Sequence, residues 1–243
     1  MTDDQPRGVD YLNSIADLIR SRVDACGEQI AKAGGLVGRC IADGGIIHMF
    51  GTGHSRLVAI DAAGRAATVA ASHSVSSEEW PGRVERVEGL GEVMLGPSDV
   101  RSGDVVVVVS NSGINPLPID VAVDAKAKGA TVIGLGSVAH SQANPSRHSK
   151  GRRLLDVCDL FLDTGVPAGD ALFTPKDTDA VGAASTVLAA SLIHAVVVES
   201  VRWMSDNSYD PPVWRSRNLP GGDEHNTALR ARYLDRIPEL RWS

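Results

Sequence analysis

The chain has 243 residues, of which 43% are hydrophobic and 22% are charged, so it is long enough to bury the core of one sizeable domain. Its formal net charge of -6 provides no general attraction for polyanions, which argues against binding to nucleic acid. Its cysteines, Cys26, Cys40 and Cys158, show no CxxC or Cys/His spacing, so we expect buried, reduced thiols and no metal site.

The first half of the chain predicts helices and strands in alternation. Apolar residues at helical spacing predict a helix over residues 11–42, interrupted at Gly34 and Gly35. A buried strand is predicted over residues 45–50, a helix over residues 55–67 and a short strand over residues 68–72.

The alternation continues in the second half of the chain. Residues 78–95 are charged, with apolar residues spaced as one face of a helix. The valine run in residues 104–109 predicts a central parallel strand that is covered on both faces. A helix over residues 115–128 follows, with Asn115 as its N-cap. Further strands are predicted over residues 131–135 and 157–162.

The last part of the chain predicts a long apolar helix over residues 181–204 and a polar tail over residues 206–243. We expect a single domain spanning residues 1–243, with its core in about residues 35–205. No signal peptide is recognisable and no apolar run approaches membrane-spanning length, so we expect a cytoplasmic protein without a membrane partner. Alternating strands and helices predict an α/β fold with a parallel sheet, whose ligands bind at the carboxyl ends of the strands.

A loop rich in glycine and hydroxyl groups follows the first strand and consists of Gly51, Thr52, Gly53, His54 and Ser55. A dinucleotide-binding fingerprint requires a glycine where Arg56 stands, and a Walker A loop requires a lysine that is missing here. The loop can hold one phosphate with its backbone N–H groups and hydroxyls at the start of a helix. The same residue types are also common in ordinary turns.

A second loop of the same kind follows the valine run and consists of Ser110, Asn111, Ser112 and Gly113. Ser137 follows the next strand and offers a further hydroxyl. Because these turns all lie at the carboxyl ends of parallel strands, we expect them to converge on one anion.

The motifs "GTGHS" and "VVVVVSNSG" resemble the sugar isomerase (SIS) domain. Further stretches, among them "SRHSKGRRLLDVCDLFLDTGVPAGDA" and "PPVWRSRNLPGGDEHN", look like SIS-domain phosphosugar-binding proteins that are often labelled phosphoheptose isomerase. The resemblance covers residues 11–237 and implies a flavodoxin-like three-layer sandwich with a five-stranded parallel sheet and helical extensions at both ends. It also implies that the two loops, with Ser137, bind the phosphate of a sugar.

The chain departs from the SIS pattern at two places. SIS domains commonly carry a Thr and then a Glu just after the second loop, where this chain has Asn115 and then Pro116 and Leu117. Asn115 can still cap the helix and donate to a ligand. Phosphoheptose isomerases carry a Glu in the helix after the first loop, and counting from Gly51 this position is Arg65, which argues against heptose isomerisation.

Aldose–ketose isomerisation needs a base for a carbon-bound proton and often a histidine that opens the sugar ring. The candidates are His54 in the first loop, Glu88 or Glu85 on the charged segment, and His194 in the apolar helix. We prefer Glu88 to Glu85, although both also suit a solvated helix face. His194 is also compatible with a core histidine whose hydrogen bonds are satisfied within the protein. By resemblance to SIS isomerases, it would reach a site across a subunit boundary.

A polar, basic segment over residues 146–150 is a further candidate, because binding residues concentrate on such loops. Its Arg147 and His148 can neutralise a phosphate or contact a partner subunit. Ser185 and Thr186 can cap the apolar helix or meet the ligand. Weaker candidates in the tail are Asn218, His225 and Asn226.

The sequence therefore predicts a phosphosugar-binding protein without a cofactor or a metal, acting as an aldose–ketose isomerase. The alternatives are a phosphosugar sensor without turnover, and a lyase or deaminase on the same scaffold. Surplus apolar surface on the first and last long helices predicts a homodimer or homotetramer. The resemblance to SIS domains implies that its sites lie near the subunit junction.

Overall fold

The computed structural model of the chain describes residues 5–75 and 83–241. Within these ranges, the main sheet consists of β1 (Ile47–Gly51), β2 (Ser72–Ser74), β3 (Val105–Val109), β4 (Thr131–Gly136) and β5 (Leu160–Asp163). A hairpin is formed by β6 (Ala171–Phe173) and β7 (Val181–Ala183). The helices are α1 (Gly8–Ala42), α2 (Ser55–Asp61), α3 (Gly91–Leu95), α4 (Pro116–Ala127), α5 (Val138–Ala143), α6 (Leu154–Val157), α7 (Ser185–Asp206) and α8 (Gly222–Tyr233).

The main sheet is parallel throughout, with its strands in the order β2-β1-β3-β4-β5. This is the flavodoxin-like order, and it confirms the predicted fold class. β1 pairs with β3 from Ile47↔Val105 to Gly51↔Val109, so the two strands end at the same level. The strand order switches direction here, and both hydroxyl-rich loops begin at this edge.

Helices cover both faces of the sheet, as the valine run predicts. Val105, Val107 and Val109 lie in the core cluster shared with α1, α2 and α7. Val106 and Val108 point the other way and pack with α3 and α4. Each of these valines is at most 3% exposed, which is the burial expected of a strand between two helical layers.

Helix α1 runs without a break through Gly34 and Gly35, so the predicted interruption there is wrong. The glycines serve packing instead. A Cβ at Gly34 would lie 2.3 Å from the Cβ of Glu199 on α7, which is closer than two carbon atoms can approach. Gly34 therefore lets the backbones of α1 and α7 come together.

Helix α7 begins at Ser185, and residues 181–183 of the predicted helix form β7 instead. With 22 residues, α7 is long and apolar enough to cross a membrane by length and composition alone. The prediction that no apolar run approaches this length is therefore wrong. Leu192, Ile193 and Val196 of α7 are buried in the main core cluster, and a core helix passes the same test of composition.

Helix α2 ends at Asp61 and not near residue 67, and the strand predicted over residues 68–72 begins only at Ser72. The intervening residues hydrogen-bond to the tail: the N–H of Ala67 donates to the Trp214 carbonyl, and that of Ala70 to the Pro212 carbonyl. A contact with residues far along the chain thus replaces the predicted local structure.

The helix predicted over residues 78–95 begins in a part of the chain that lies outside the described residues. From residue 83 onward the chain forms a 3-10 turn (Val84–Arg86) and the short α3, and no continuous helix. Gly89, with φ of 79°, separates the two. The strand predicted over residues 157–162 is shorter, because α6 precedes it and β5 starts at Leu160.

The tail is more ordered than its polar composition predicts. Val213 forms an antiparallel bridge with Val69, and α8 follows. The tail contributes a set of large side chains to the main core cluster, namely Trp214, Leu229, Tyr233, Ile237 and Leu240. These apolar residues are too widely spaced to stand out in the sequence, but they cover the sheet together with α1 and α7.

Candidate functional site

A small cleft, with a cavity volume of about 10 Å³, opens at the carboxyl edge of the sheet. Side chains and backbone from several elements line it: Ser55, Val58, Val109, Asn111, Leu135, Gly136, Thr164, Ser185, Thr186 and Ala189. Val58, Val109, Leu135 and Ala189 form the apolar part of this lining, and the polar part comes from the loops and the start of α7. This is the place at which open parallel sheets bind ligands.

The loop after β1 brings Ser55 to the cleft by a tight turn. The N–H of Ser55 donates to the Thr52 carbonyl at 3.1 Å, and the Arg56 N–H donates to the Gly53 carbonyl at 3.2 Å. Gly53 has φ of 54°, which favours glycine. His54 is exposed at the start of α2, and the Ser55 hydroxyl has no hydrogen-bond partner among residues 5–75 and 83–241.

Glu85 lies against this first loop. The Thr52 hydroxyl donates to Glu85 Oε2 at 3.4 Å, and Glu85 Oε2 also lies 3.9 Å from the position that a Cβ on Gly53 would occupy. A carboxylate therefore stands beside the loop that begins at β1.

The loop after β3 is pressed against the end of β4. The Ser110 hydroxyl accepts the Gly113 N–H at 3.2 Å, and the Asn111 carbonyl accepts the Ser137 N–H at 2.8 Å. A Cβ at Gly136 would lie only 2.2 Å from the Ser110 carbonyl oxygen, so this approach requires glycine. The amide oxygen of Asn111 is buried at the cleft without a partner in the described part of the chain.

Asn115 stands at the N-cap position of α4, but its side chain makes no capping hydrogen bond, which corrects that part of the prediction. Its amide oxygen instead accepts a hydrogen bond from Arg147 Nη1 at 2.7 Å. Pro116 and Pro118 have no N–H groups, so the first turn of α4 offers few donors. An anion at this edge must therefore be held mainly by the loop backbones and hydroxyls.

Ser137 is fully buried and its hydroxyl is already used within the protein. It donates to the Val166 carbonyl at 2.6 Å and accepts the His140 N–H at 3.0 Å, which caps α5. A direct contact between this hydroxyl and a ligand would require one of these hydrogen bonds to break.

His148 and Glu88 belong to a polar cluster beside α4. His148 is buried, with Nε2 at 3.1 Å from Asp120 Oδ1, while its Nδ1 accepts the Lys150 N–H at 3.1 Å. Glu88 accepts a short hydrogen bond from the Ser149 N–H, and this bond holds the pKa of Glu88 below its usual value. The cluster fixes the segment over residues 146–150, with Arg147 exposed beside the second loop.

His194 lies on the face of α7 that meets α2, and not among the residues that line the cleft. Its Nε2 is 2.8 Å from Asp61 Oδ2, and Asp61 also pairs with Arg65. The His194 hydrogen bond is the main reason that the pKa of Asp61 is lowered. Nine residues separate His194 from Ser185, or about 13 Å along the helix.

The structure thus brings Ser55 of the first loop, Asn111 of the second loop and the start of α7 to one cleft. The other residues of the two loops, and His148, Glu88 and His194, are not among the residues that line it. Two positions were missed by sequence reasoning. Thr164 lines the cleft after β5. Asp170 accepts the N–H groups of Ala184 and Ser185 and the Ser185 hydroxyl, so it caps α7 from the other end of the hairpin. No local pattern could reveal either contact.

The tail candidates lie away from the cleft. Asn226 binds both backbone groups of Arg215, and His225 Nε2 lies 2.9 Å from the Val213 carbonyl. Both residues therefore hold the tail segment against α8. Among residues 5–75 and 83–241, no three His, Cys, Asp or Glu side chains are grouped so that they could hold a metal ion.

Residues 10–137 match the family model of the SIS domain. A UPF0309 protein of Listeria innocua is 36% identical over 239 residues, covering 95% of this chain and 97% of the relative. A UPF0309 protein of Streptomyces avermitilis is 38% identical over 238 residues, covering 93% and 95%. The chain therefore belongs to the SIS domain family and, within it, to the UPF0309 proteins.

Solved structures of low sequence identity share the fold. A phosphoheptose isomerase from Francisella tularensis has a TM-score of 0.56 at 15% identity, covering 79% of this chain and 95% of that one. The E. coli CFT073 protein c3406, solved in complex with a sugar phosphate, has a TM-score of 0.53 at 17% identity, with coverages of 82% and 88%. The Vibrio vulnificus NanR protein complexed with ManNAc-6P has a TM-score of 0.51 at 18% identity, with coverages of 94% and 67%.

Proposed function

We propose that this SIS-domain protein binds a phosphorylated sugar in the cleft, and that it isomerises the sugar between aldose and ketose without a metal ion. The observation that carries the proposal is the convergence of Ser55, Asn111 and Thr186 on one cleft. They come from the first loop, the second loop and α7. Among the described residues, the Ser55 and Thr186 hydroxyls and the Asn111 amide oxygen have no partner, so they are available to a ligand.

A phosphate suits the loop end of this cleft. Within the described ranges the Ser112 N–H donates to no other group, and at Gly53 the nearest atom to a Cβ position is Glu85 Oε2 at 3.9 Å, so the backbone there is open to close approach. Neutral donors of this kind bind an anion without a cluster of lysines, as phosphate-binding loops do. The sugar phosphates bound to two of the structural neighbours, the E. coli protein and NanR, support this class of ligand.

Glu85 is the base that we propose for the carbon-bound proton. Isomerisation requires a base that takes the proton from C2 of the aldose and returns it to C1, and a carboxylate beside the phosphate loop can reach the sugar chain. Glu85 contacts Thr52 of this loop, whereas Glu88 is bonded to Ser149 and lies near His148. The lowered pKa of Glu88 also makes it a weaker base.

His194 is the group that we propose for ring opening. Asp61 fixes its Nε2, so Nδ1 is the nitrogen left to exchange protons with a sugar oxygen. Because His194 lies outside the cleft lining, this role places the far end of the sugar near α2 and α7, or brings in the cleft of a second copy.

The test is to incubate the protein in D2O with a panel of sugar phosphates that includes arabinose 5-phosphate and N-acetylmannosamine 6-phosphate, and to follow the sugars by NMR. We expect one of them to exchange its C2 proton and to form the matching ketose or aldose. Ser55→Ala and Ser112→Ala should weaken its binding, measured by the ligand-dependent rise in melting temperature.

Each alternative predicts a different result in the same experiment. A lyase or deaminase would release water or ammonia after the exchange, and a sensor would bind a sugar phosphate without any exchange. Absence of binding to every sugar phosphate, or binding that both alanine variants leave unchanged, would refute the assignment of the cleft.

We also propose a homodimer or homotetramer in the cytoplasm. Leu12, Ile19 and Val23 form one exposed apolar stripe on α1, with exposed fractions of 65%, 37% and 68%. The stripe borders a groove between α1 and α7 with a cavity volume of about 110 Å³. A second copy of the chain can cover this surface, and light scattering should show a monomer for Val23→Glu if it does.

A further inference from the structure

A second and larger cleft lies where the residues that follow α2 meet the tail. Its cavity volume is about 340 Å³, and it is open to solvent. Its lining includes Arg65, Arg215, Arg217 and Arg230. Four guanidinium groups around one cleft are unexpected in a chain with a formal net charge of -6.

The backbone that carries these arginines is held firmly. The Trp214 N–H donates to the Thr68 carbonyl at 2.9 Å, and the Trp214 carbonyl accepts the Ala67 N–H at 2.9 Å. Asn226, which is 4% exposed, accepts the Arg215 N–H at 2.9 Å and donates to the Arg215 carbonyl at 2.8 Å. A ligand would therefore meet a preformed backbone and would not have to order it.

The positive charge of the cleft is only partly neutralised. Arg65 pairs with Asp61, and Arg217 Nε lies 3.9 Å from Asp223. Arg215 is exposed and forms no ion pair with any residue in the described ranges. Guanidinium groups bind phosphate and carboxylate oxygens in pairs of parallel hydrogen bonds, so the cleft suits an anion with more than one such group.

An unpaired donor also lies at the cleft. Trp214 lines it and is 7% exposed, and its indole N–H is buried without an acceptor among the described residues. A buried N–H without an acceptor is costly, and a bound anion or its ordered water would satisfy it. Because the Trp214 ring is buried, it offers no open face on which a nucleotide base could stack.

We propose that this cleft is a second ligand site, separate from the sugar-phosphate cleft, which binds a small organic bisphosphate. The site also connects to His194, because Arg65 binds the same carboxylate, Asp61, that holds His194 Nε2. An anion that binds Arg65 competes with Asp61 and so alters the partner of His194. The bisphosphate is therefore a regulator of the first cleft and not its substrate.

The test is isothermal titration calorimetry with fructose 1,6-bisphosphate, and with inorganic pyrophosphate as the probe without a sugar. We expect saturable binding that Arg215→Gln and Arg217→Gln each weaken about tenfold, since each removes one charge-assisted contact. Arg20→Gln is the matched control, because Arg20 is an exposed arginine on α1 far along the chain from this cleft. Ser112→Ala tests the first cleft separately.

Binding that survives Arg215→Gln and Arg217→Gln but is lost in Ser112→Ala would place the anion in the first cleft and overturn the proposal. Equal weakening by Arg20→Gln would show general charge attraction and would overturn it as well, as would the absence of saturable binding. Because Arg217 has a side chain that is 57% exposed, its variant should fold even if Arg215→Gln does not. A shift of the Trp214 indole N–H resonance on titration would support the assignment directly.

Discussion

Arg236 Nη2 lies 2.8 Å from Oδ2 of Asp104, a carboxylate that is 1% exposed at the amino end of β3. Asp104 also accepts the backbone N–H groups of Ile46 and Arg101, and it lies 3.0 Å from His48 Nε2. Arg236 of the tail thus forms an ion pair with a carboxylate that is buried at the amino end of β3. The tail is therefore bound at the edge of the sheet opposite the cleft that Ser55 and Asn111 line.

Removal of the ion pair between Arg236 and Asp104 should destabilise the protein strongly. We expect Arg236→Gln to lower the free energy of unfolding by about 3 kcal/mol, because it leaves the buried Asp104 carboxylate without its cation. Urea unfolding measures the change. Arg202→Gln is the control: its ion pairs with Glu199 and Asp206 are exposed, so their loss should lower the free energy of unfolding far less. Equal effects of the two variants would contradict this account.

Stability should fall as the pH falls from about 6.5, the ordinary pKa of histidine. Burial is the main reason that the pKa of His73 is lowered from 6.5 to about 3. Between these values the unfolded chain binds a proton at this position and the folded protein does not. Stability from His73 is therefore fully present above pH 6.5 and is lost toward pH 3, by at most about 1.4 kcal/mol per pH unit.

Urea unfolding between pH 7.5 and pH 5 measures this slope. His73→Gln should make it smaller, whereas His54→Gln should leave it unchanged because His54 is exposed. The same slope in His73→Gln as in the unsubstituted protein would show that another group is responsible.

Glu85→Gln should abolish turnover but spare binding. With a sugar phosphate that shows C2 exchange, we expect kcat to fall by about 10²- to 10⁴-fold, the usual contribution of a general base. Glu88→Gln is the matched control, and it should lower kcat far less because its carboxylate is occupied by the Ser149 N–H. The reverse order of effects would move the role of base to Glu88.

Gly136→Ala should weaken sugar-phosphate binding by displacing the second loop. Its added Cβ would meet the Ser110 carbonyl oxygen at 2.2 Å, and we expect a loss of about 1–3 kcal/mol in stability from this overlap. Gly27→Ala in α1 is the control, because a Cβ there meets no atom within 4 Å and alanine favours the helix. Thermal shifts with and without the ligand measure both effects; a stable variant with unchanged binding would contradict the prediction.

The sequence offers both Glu85 and Glu88 as candidate bases, and only the fold separates them by their contacts. Both lie on a segment whose apolar spacing suggested a helix, but the chain forms a 3-10 turn followed by Gly89. The two carboxylates therefore meet different neighbours, Thr52 and Ser149. Long-range packing determines these neighbours, and the local sequence pattern does not reveal them.

The sequence by itself determined the central strand and the position of both loops. A run of valines can be stable only where both faces are covered, and hydroxyl-rich turns after parallel strands must meet at one edge of the sheet. Tertiary structure decided which polar groups remain open at that edge. The Ser137 hydroxyl donates to the carbonyl of Val166, 29 residues along the chain, whereas Thr186 lines the cleft. Hydrogen bonds between distant segments depend on the folded backbone, so no local pattern specifies them.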